Sequence, residues 1–277
     1  MSPKPIRRLA IVANRTKPGV DGLAGDLASV AQGAGVEVVL PPTYPLPAGA
    51  LVGCDACLVL GGDGTLLGVV AEAVAARVPV LGINRGKLGF LACYDSENAA
   101  EDLRGVLRGD YKAEERVLLE ARSQCGSSTI ALNDVVIRPA AHTHLVRLHV
   151  SLDDEFVNAF PCDGLIVATP TGSTAYNLAA GGPLIAPHAG VFALTPICPH
   201  TLSNRSLIFS DKRVLTIDRE PGRADLRLDV VADGTPHFQA TASCFPLRIS
   251  LAVNKIRLIQ PPTISHFKVL RNKLRWA

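Results

Sequence analysis

The hydrophobic pattern of the chain changes its period once, near residue 115. Ahead of that point, short continuous apolar runs alternate with stretches that repeat every three to four residues. Leu9-Ala10-Ile11-Val12-Ala13-Asn14, Val36 to Leu40, Ala56-Cys57-Leu58-Val59-Leu60 and Val78 to Ile83 predict buried strands. Asp21 to Gln32, Leu66 to Ala76 and Glu97 to Leu107 predict the helices. Such alternation with short turns predicts an α/β domain with a doubly wound, mostly parallel sheet. Ligands of these sheets bind at the carboxyl ends of the strands. Pro41 to Pro47 reads as a stiff connector on the surface.

Beyond residue 115 the period becomes two. Glu120 to Arg122, Ile130 to Arg138, Leu145 to Leu152, Glu155 to Phe160 and Leu165 to Ala168 predict strands. So do Arg213 to Asp218, Asp225 to Val231 and Leu247 to Val253, with turns such as Asp153-Asp154 and Pro221-Gly222 between them. Many short strands with few helices predict a β-rich, antiparallel, sandwich-like domain. One helix, Thr174 to Ala180, interrupts it after the turn Pro170-Thr171-Gly172-Ser173. Residues 255–277 carry six Lys and Arg and no acid, a pattern open to a nucleic-acid arm. Phe267, Leu270 and Leu274 recur at i, i+3 and i+7, however, so an amphipathic helix docked on the first domain is expected. The predicted organisation is an α/β domain (1–115 plus 258–277) and a β-rich domain (116–257).

Composition narrows the class. The 277 residues are 48 % hydrophobic and 19 % charged, with mean hydropathy +0.25, enough to build one large or two ordinary cores. The net charge of +3 is too mild to require nucleic acid as a partner and equally suits an enzyme of polyanionic ligands. No apolar run approaches the ~18 residues of a membrane span, and Met1 to Pro5 lacks a signal-peptide core, so a cytoplasmic protein without membrane contact is expected. Seven cysteines are scattered along the chain. Several sit in apolar strand patterns and read as small hydrophobes, and Cys54 and Cys57, a C-x-x-C with no partner cluster, read as packing rather than as a zinc site or a redox pair.

The chemistry concentrates in Gly61-Gly62-Asp63-Gly64-Thr65, between the strand 56–60 and the helix predicted from Leu66. A strand that ends in a glycine turn and opens a helix puts backbone N–H groups where a phosphate can meet them. A lone carboxylate there repels phosphate unless it holds a cation or takes a proton from an attacking hydroxyl. Phosphoryl transfer is the reaction class this suggests. The loop is neither a Walker A sequence nor a G-x-G-x-x-G dinucleotide turn, and Gly82-Ile83-Asn84-Arg85-Gly86-Lys87-Leu88 is one residue short of Walker A. Arg85 and Lys87 read equally as phosphate-binding charges and as solvated loop residues. A second strand–turn–helix block runs from Asp163 through Thr169-Pro170-Thr171-Gly172-Ser173-Thr174-Ala175-Tyr176 to Gly181-Gly182-Pro183. Ser173 and Thr174 offer hydroxyls for a cap or a ligand, and Tyr176 a ring for stacking or for the core.

Taken together, the two blocks resemble the NAD kinase family. Asn133-Asp134-Val135-Val136, Gly82-Ile83-Asn84 with Leu88-Gly89-Phe90-Leu91, and Thr195 to Ser203 match it in the same order. The resemblance implies an enzyme that moves the γ-phosphoryl group of ATP, or of polyphosphate, to the 2′-hydroxyl of the adenosine ribose of NAD, using Mg²⁺. It implies a homodimer or homotetramer. Carried over by motif, Asp63 is the proton acceptor, Gly61, Gly62 and Gly64 admit phosphate, and Thr65 caps the helix. Asn133 is the adenine reader, a role an Asn amide suits because it can pair with N6 and N7 together. Asp134 stands where the family usually has a Glu on the ribose. Asp163 serves the nicotinamide side, while Thr174, Ala175, Tyr176, Asn177, Leu178 and Ala179 line the adenosine pocket and His144 matches a ligand-binding position. Pro161 stands where many relatives have Lys or Arg, and Thr235 where Gln is common, so no contact is carried to either. The rival expectations are a lipid or sugar kinase sharing the glycine loop, and a non-catalytic NADP(H)-binding sensor.

Overall fold

The computed structural model describes residues 5–14, 19–86, 89–140, 146–201, 203–220 and 227–276. The chain divides into two compact units, residues 1–115 with 256–277, and residues 116–255. The first opens with β1 (Arg8–Ala13), α1 (Val20–Gly33), β2 (Glu37–Val39), β3 (Ala56–Leu60), α2 (Asp63–Leu67), α3 (Val70–Ala76), β4 (Val80–Asn84), β5 (Tyr94–Asp95), α4 (Ala99–Arg108) and β6 (Lys112–Arg116). The second carries β7 (Leu119–Ser123), β8 (Ser128–Ala131), β9 (Asp134–Pro139), β10 (Val146–Leu152), β11 (Glu155–Cys162) and β12 (Gly164–Ala168). A 3-10 turn (Thr171–Thr174) and α5 (Tyr176–Ala179) precede β13 (Val191–Ile197), β14 (Leu207–Ser210), β15 (Leu215–Arg219), β16 (Leu228–Ala232), β17 (Thr235–Ala240) and β18 (Leu247–Leu251). β19 (Ile256–Gln260) and α6 (His266–Leu274) then rejoin the first unit.

The first unit is the doubly wound α/β layer that the sequence predicts. Its sheet runs β2-β1-β3-β4-β19-β6, with the short β5 also on β4. The ladders β1–β2, β1–β3, β3–β4, β4–β19 and β4–β5 are all parallel. Every residue of β3 is buried, because a central parallel strand meets apolar groups on both faces. Leu58 and Leu60 pack with Leu27 of α1 and Leu103 of α4 in one core. Register pairs Leu60 with Ile83, so β3 and β4 end together and the Gly61 amide bonds the Ile83 carbonyl at 3.0 Å.

The second unit is an antiparallel sandwich. One sheet has the order β11-β10-β15-β18-β7-β8 and the other β14-β13-β12-β9-β16-β17. Phe160, Leu148, Ile217 and Leu247 from the first meet Phe192, Leu165, Ile137 and Val230 from the second in a single core. The second sheet is apolar on its far face as well, where Val136, Ile166, Ala168 and Val231 pack against Ala180 and Ile197. Ala180, from the segment that follows β12, packs on that face.

Several expectations are corrected. The helix predicted over Leu66–Ala76 is two helices, α2 and α3, parted at Gly68, where Tyr44 lies so close that a Cβ would strike its hydroxyl. The strand predicted over Ile130–Arg138 is two strands in different sheets, β8 and β9, with Leu132 and Asn133 carrying the chain across. Thr174–Ala180 is a 3-10 turn plus a single turn of α-helix. Strands β5, β6, β13, β14, β17 and β19 go beyond the predicted set; β13 hides behind its Pro196, and β19 inside a basic stretch. In α6 the buried residues are Val269 and Leu270, whereas Phe267 is 62 % exposed. Periodicity alone misjudged the buried stripe. No helix among the described residues is long and apolar enough to cross a membrane. Cys57 is buried and unbonded in β3, and Cys54 is free beside it. Cys125 and Cys244, for which no pairing was expected, form a disulfide in the second unit.

Candidate active site

The glycine turn sits at the carboxyl end of β3. Gly61 has φ +154°, which favours glycine, and a Cβ there would collide with the Thr65 side chain. Thr65 is buried beneath it, inside the first turn of α2 rather than at the N-cap. The amides of Thr65 and Leu66 close on the Gly62 carbonyl at 2.9 and 3.2 Å. Those of Gly62, Asp63 and Gly64 stand ahead of the intrahelical ladder, as the first N–H groups of any helix do. Gly62 is half-buried and Gly64 exposed.

Asp63 is fixed by backbone. Its Oδ1 accepts the amides of Leu91 and Ala92 at 3.0 and 2.9 Å, and its Oδ2 accepts that of Phe90 at 2.8 Å. A carboxylate offers about four acceptor sites. Three are filled by three consecutive amides, and Oδ2 keeps the remaining one. A charged acceptor held in this way is oriented before any substrate arrives, which is what an efficient proton acceptor requires. The same bonds make Asp63 a structural tie between the glycine turn and the 89–92 segment. Arg85 is exposed, with its guanidinium beside Gly19 ahead of α1; Lys87 lies outside the described residues.

The second unit builds a denser polar centre. The Thr169 amide bonds the Asn133 carbonyl at 2.9 Å, and Thr169 Oγ1 donates to the Leu132 carbonyl at 2.6 Å. Gly172 packs so closely that a Cβ would strike the Asn133 carbonyl oxygen, and only glycine allows this approach. Asn177 is fully buried. Its Nδ2 donates to the Pro183 carbonyl at 3.0 Å, and its Oδ1 accepts Thr195 Oγ1 at 2.7 Å. The carboxamide expected to line a pocket therefore holds the loop together. Ser173 is buried likewise, donating to the Pro170 carbonyl at 2.7 Å and accepting the Ile185 amide at 3.0 Å.

Thr174, Ala175 and Leu178 are half-buried, and Ala179 is exposed. Tyr176 is 45 % exposed. Asn133 is half-buried, whereas Asp134 is buried. Burial first, and the neighbouring Asp233 second, push the Asp134 carboxyl up to about 7. Asp233 is the functional candidate that sequence reasoning missed. Its carboxylate accepts the amides of Leu132, Asn133 and Asp134 at 2.8, 2.7 and 3.2 Å. Sequence showed only an Asp-Gly turn there, a hundred residues from what it holds. Asp163 is exposed at the mouth of β12, with His200 Nε2 3.9 Å from its Oδ1. His144 lies outside the described residues. Among those residues, no three His, Cys, Asp or Glu side chains gather as a cation cage.

A parallel sheet ending in a glycine turn with an oriented carboxylate, on a chain that also carries a polar-lined antiparallel sandwich, is the equipment of a phosphotransferase. Comparison with known proteins narrows that class. Residues 43–111 match the ATP-NAD kinase N-terminal domain, and residues 132–260 match the ATP-NAD kinase C-terminal domain. NAD kinase of Syntrophotalea carbinolica is 37 % identical, over 98 % of this chain and 99 % of its own. That of Syntrophobacter fumaroxidans is 38 % identical over the same shares. Among solved structures, yeast NADH kinase complexed with NADH superposes with TM-score 0.86 at 26 % identity, covering 99 % of this chain and 89 % of that one. An NAD kinase from Archaeoglobus fulgidus in complex with ATP gives 0.79 at 25 %, covering 97 % and 98 %. The chain belongs to the NAD kinase family.

Proposed function

We propose that the protein phosphorylates NAD at the 2′-hydroxyl of its adenosine ribose with ATP as donor, giving NADP and ADP. The ribose oxygen forms a bond to the γ-phosphorus, the bond from that phosphorus to the β,γ-bridging oxygen breaks, and Asp63 receives the hydroxyl proton. The observation that carries this reading is the Asp63 carboxylate, fixed by three amides with one acceptor site left on Oδ2. Its placement at the strand ends beside Gly62 and Gly64 puts the acceptor where backbone can approach phosphate. Phosphoryl transfer asks the protein mainly for positioning and charge neutralisation, so a rigid acceptor and a bare turn suffice.

Mg²⁺ fits this donor set as an ion carried on the triphosphate. Such an ion keeps several waters and needs only one or two protein carboxylates, and when bound it neutralises the charge that builds on the phosphates. Asn133 reads adenine, the Tyr176 ring stacks on it, and Thr174, Ala175 and Leu178 wall the adenosine. Asp163 serves the nicotinamide side from the surface. The protein works in the cytoplasm as a homodimer or homotetramer, for which light scattering gives the size. A coupled assay of NADP formation, with ATP and then polyphosphate as donor, tests the reading. No NADP with either donor would overturn it.

A further inference from the structure

The chain changes sheets at Leu132–Asn133, between β8 and β9, and there the backbone leaves both ladders. Buried amides outside a ladder need another acceptor. Asp233, in the turn between β16 and β17, supplies it for three consecutive residues, Leu132, Asn133 and Asp134. The grip is reciprocal, since the Asp233 amide donates to the Asp134 carbonyl at 3.0 Å. Asp233 holds φ +49°, a conformation that Asp and Asn tolerate better than other side chains. Asp134 of β9 is itself buried, and its amide meets the Asp233 carboxylate at 3.2 Å, so the two acids stand close together. Two buried acids thus stand together at the backbone that carries Asn133. The charged or titratable groups that bear on this pair are Asp134, Asp233 and His237 of β17.

We propose that Asp233 is a positioning residue of the dinucleotide site, setting the backbone of Asn133 and Asp134 as one half of a carboxyl pair that holds a proton when NAD is bound. The inference rests on the adenosine-binding role given above to Asn133 and Tyr176. Two carboxylates in one water-poor pocket repel, so one of them is favoured in its neutral form. Burial pushes both upward, while for Asp233 the three amides and then His237 pull the other way. Asp233 therefore carries the charge that three N–H donors require, and Asp134 carries the proton. Bound NAD displaces water from this pocket and brings an anionic diphosphate, and both effects raise the proton affinity of the pair.

Calorimetry of NAD binding tests this without depending on turnover. Asp233→Asn keeps the left-handed backbone but turns one amide donor group against the three amides. The expected result is a Kd for NAD at least tenfold weaker, with the Kd for ATP changed less than twofold. A folded Asp233→Asn variant that binds NAD within twofold of wild type would overturn the proposal. Should that variant fail to fold, the unaltered protein still decides. At pH 7.5, titrations in phosphate and in Tris report protons exchanged on binding, through the different ionisation enthalpies of the two buffers. Net proton uptake in wild type that disappears in Asp134→Asn is expected, and no uptake in wild type would overturn the pairing. Tight NAD binding with proton uptake but no NADP formation would leave this inference standing and remove the kinase reading instead.

Discussion

Two aspartates in this molecule do the same thing with opposite surroundings. Asp63 and Asp233 each accept three consecutive backbone amides, Phe90 to Ala92 and Leu132 to Asp134 respectively. Asp63 stands in a glycine turn at the end of a parallel sheet, where its remaining acceptor site can meet a substrate. Asp233 stands beside a second buried acid, Asp134, whose carboxyl is pushed up to about 7 by burial and then by Asp233. The same hydrogen-bond pattern thus orients the carboxylate proposed as proton acceptor in one unit and braces the backbone in the other. What differs is the neighbour, bare glycine backbone or another acid.

The sharpest way to break this contrast is Asp63→Asn. Losing a positioned general base lowers turnover by ~10²–10⁴ in the coupled NADP assay. Affinity for NAD, measured separately, should change far less, and a parallel loss of both would demote Asp63 to the tie that holds residues 89–92. Gly172→Ala comes next, because its methyl group strikes the Asn133 carbonyl. Overpacking of this kind costs about 1–3 kcal/mol, read in denaturant unfolding, and should raise KM for NAD. An unchanged unfolding midpoint with unchanged KM would show that the contact gives way freely.

Tyr176→Ala separates stacking from packing. With the residue 45 % exposed, the change should leave stability within about 0.5 kcal/mol and raise KM for NAD roughly tenfold. A large loss of stability would make the ring a core residue instead. The smallest effect is the pH dependence of folding. The Asp134 carboxyl is pushed up to about 7 by burial and by Asp233, whereas an unfolded Asp titrates near 3.9. The folded protein therefore holds a proton that the unfolded chain has released. The resulting stability is fully present below about pH 4 and is lost as pH rises towards 7. Asp134→Asn should flatten that decline in unfolding experiments at pH 5 and 7.5, and equal slopes in variant and wild type would refute the assignment.

Much of the architecture was legible in local pattern. The run Ala56–Leu60 is buried throughout because a central parallel strand has no polar face, and its glycine turn falls where such sheets bind ligands. The period of two beyond residue 115 marked the sandwich for the same kind of reason. Where local pattern failed, a distant group had intervened. Ile130–Arg138 reads as one strand, yet Asp233 draws its middle out of both ladders from a hundred residues away. Asn177 reads as a ligand contact, yet Thr195 and Pro183 close around its carboxamide in the interior. Phe267 reads as part of the docking stripe of α6 with Leu270 and Leu274, yet it is exposed, and Val269 is buried beside the expected Leu270.

By itself, then, the sequence determined the two kinds of layer, the glycine turn and the family, since each depends on the order of neighbouring residues along the backbone. Only the tertiary structure decided what each polar side chain does. Whether a carboxylate grips amides, faces a second acid or meets solvent depends on which segments fold against it, and chain distance carries no record of that.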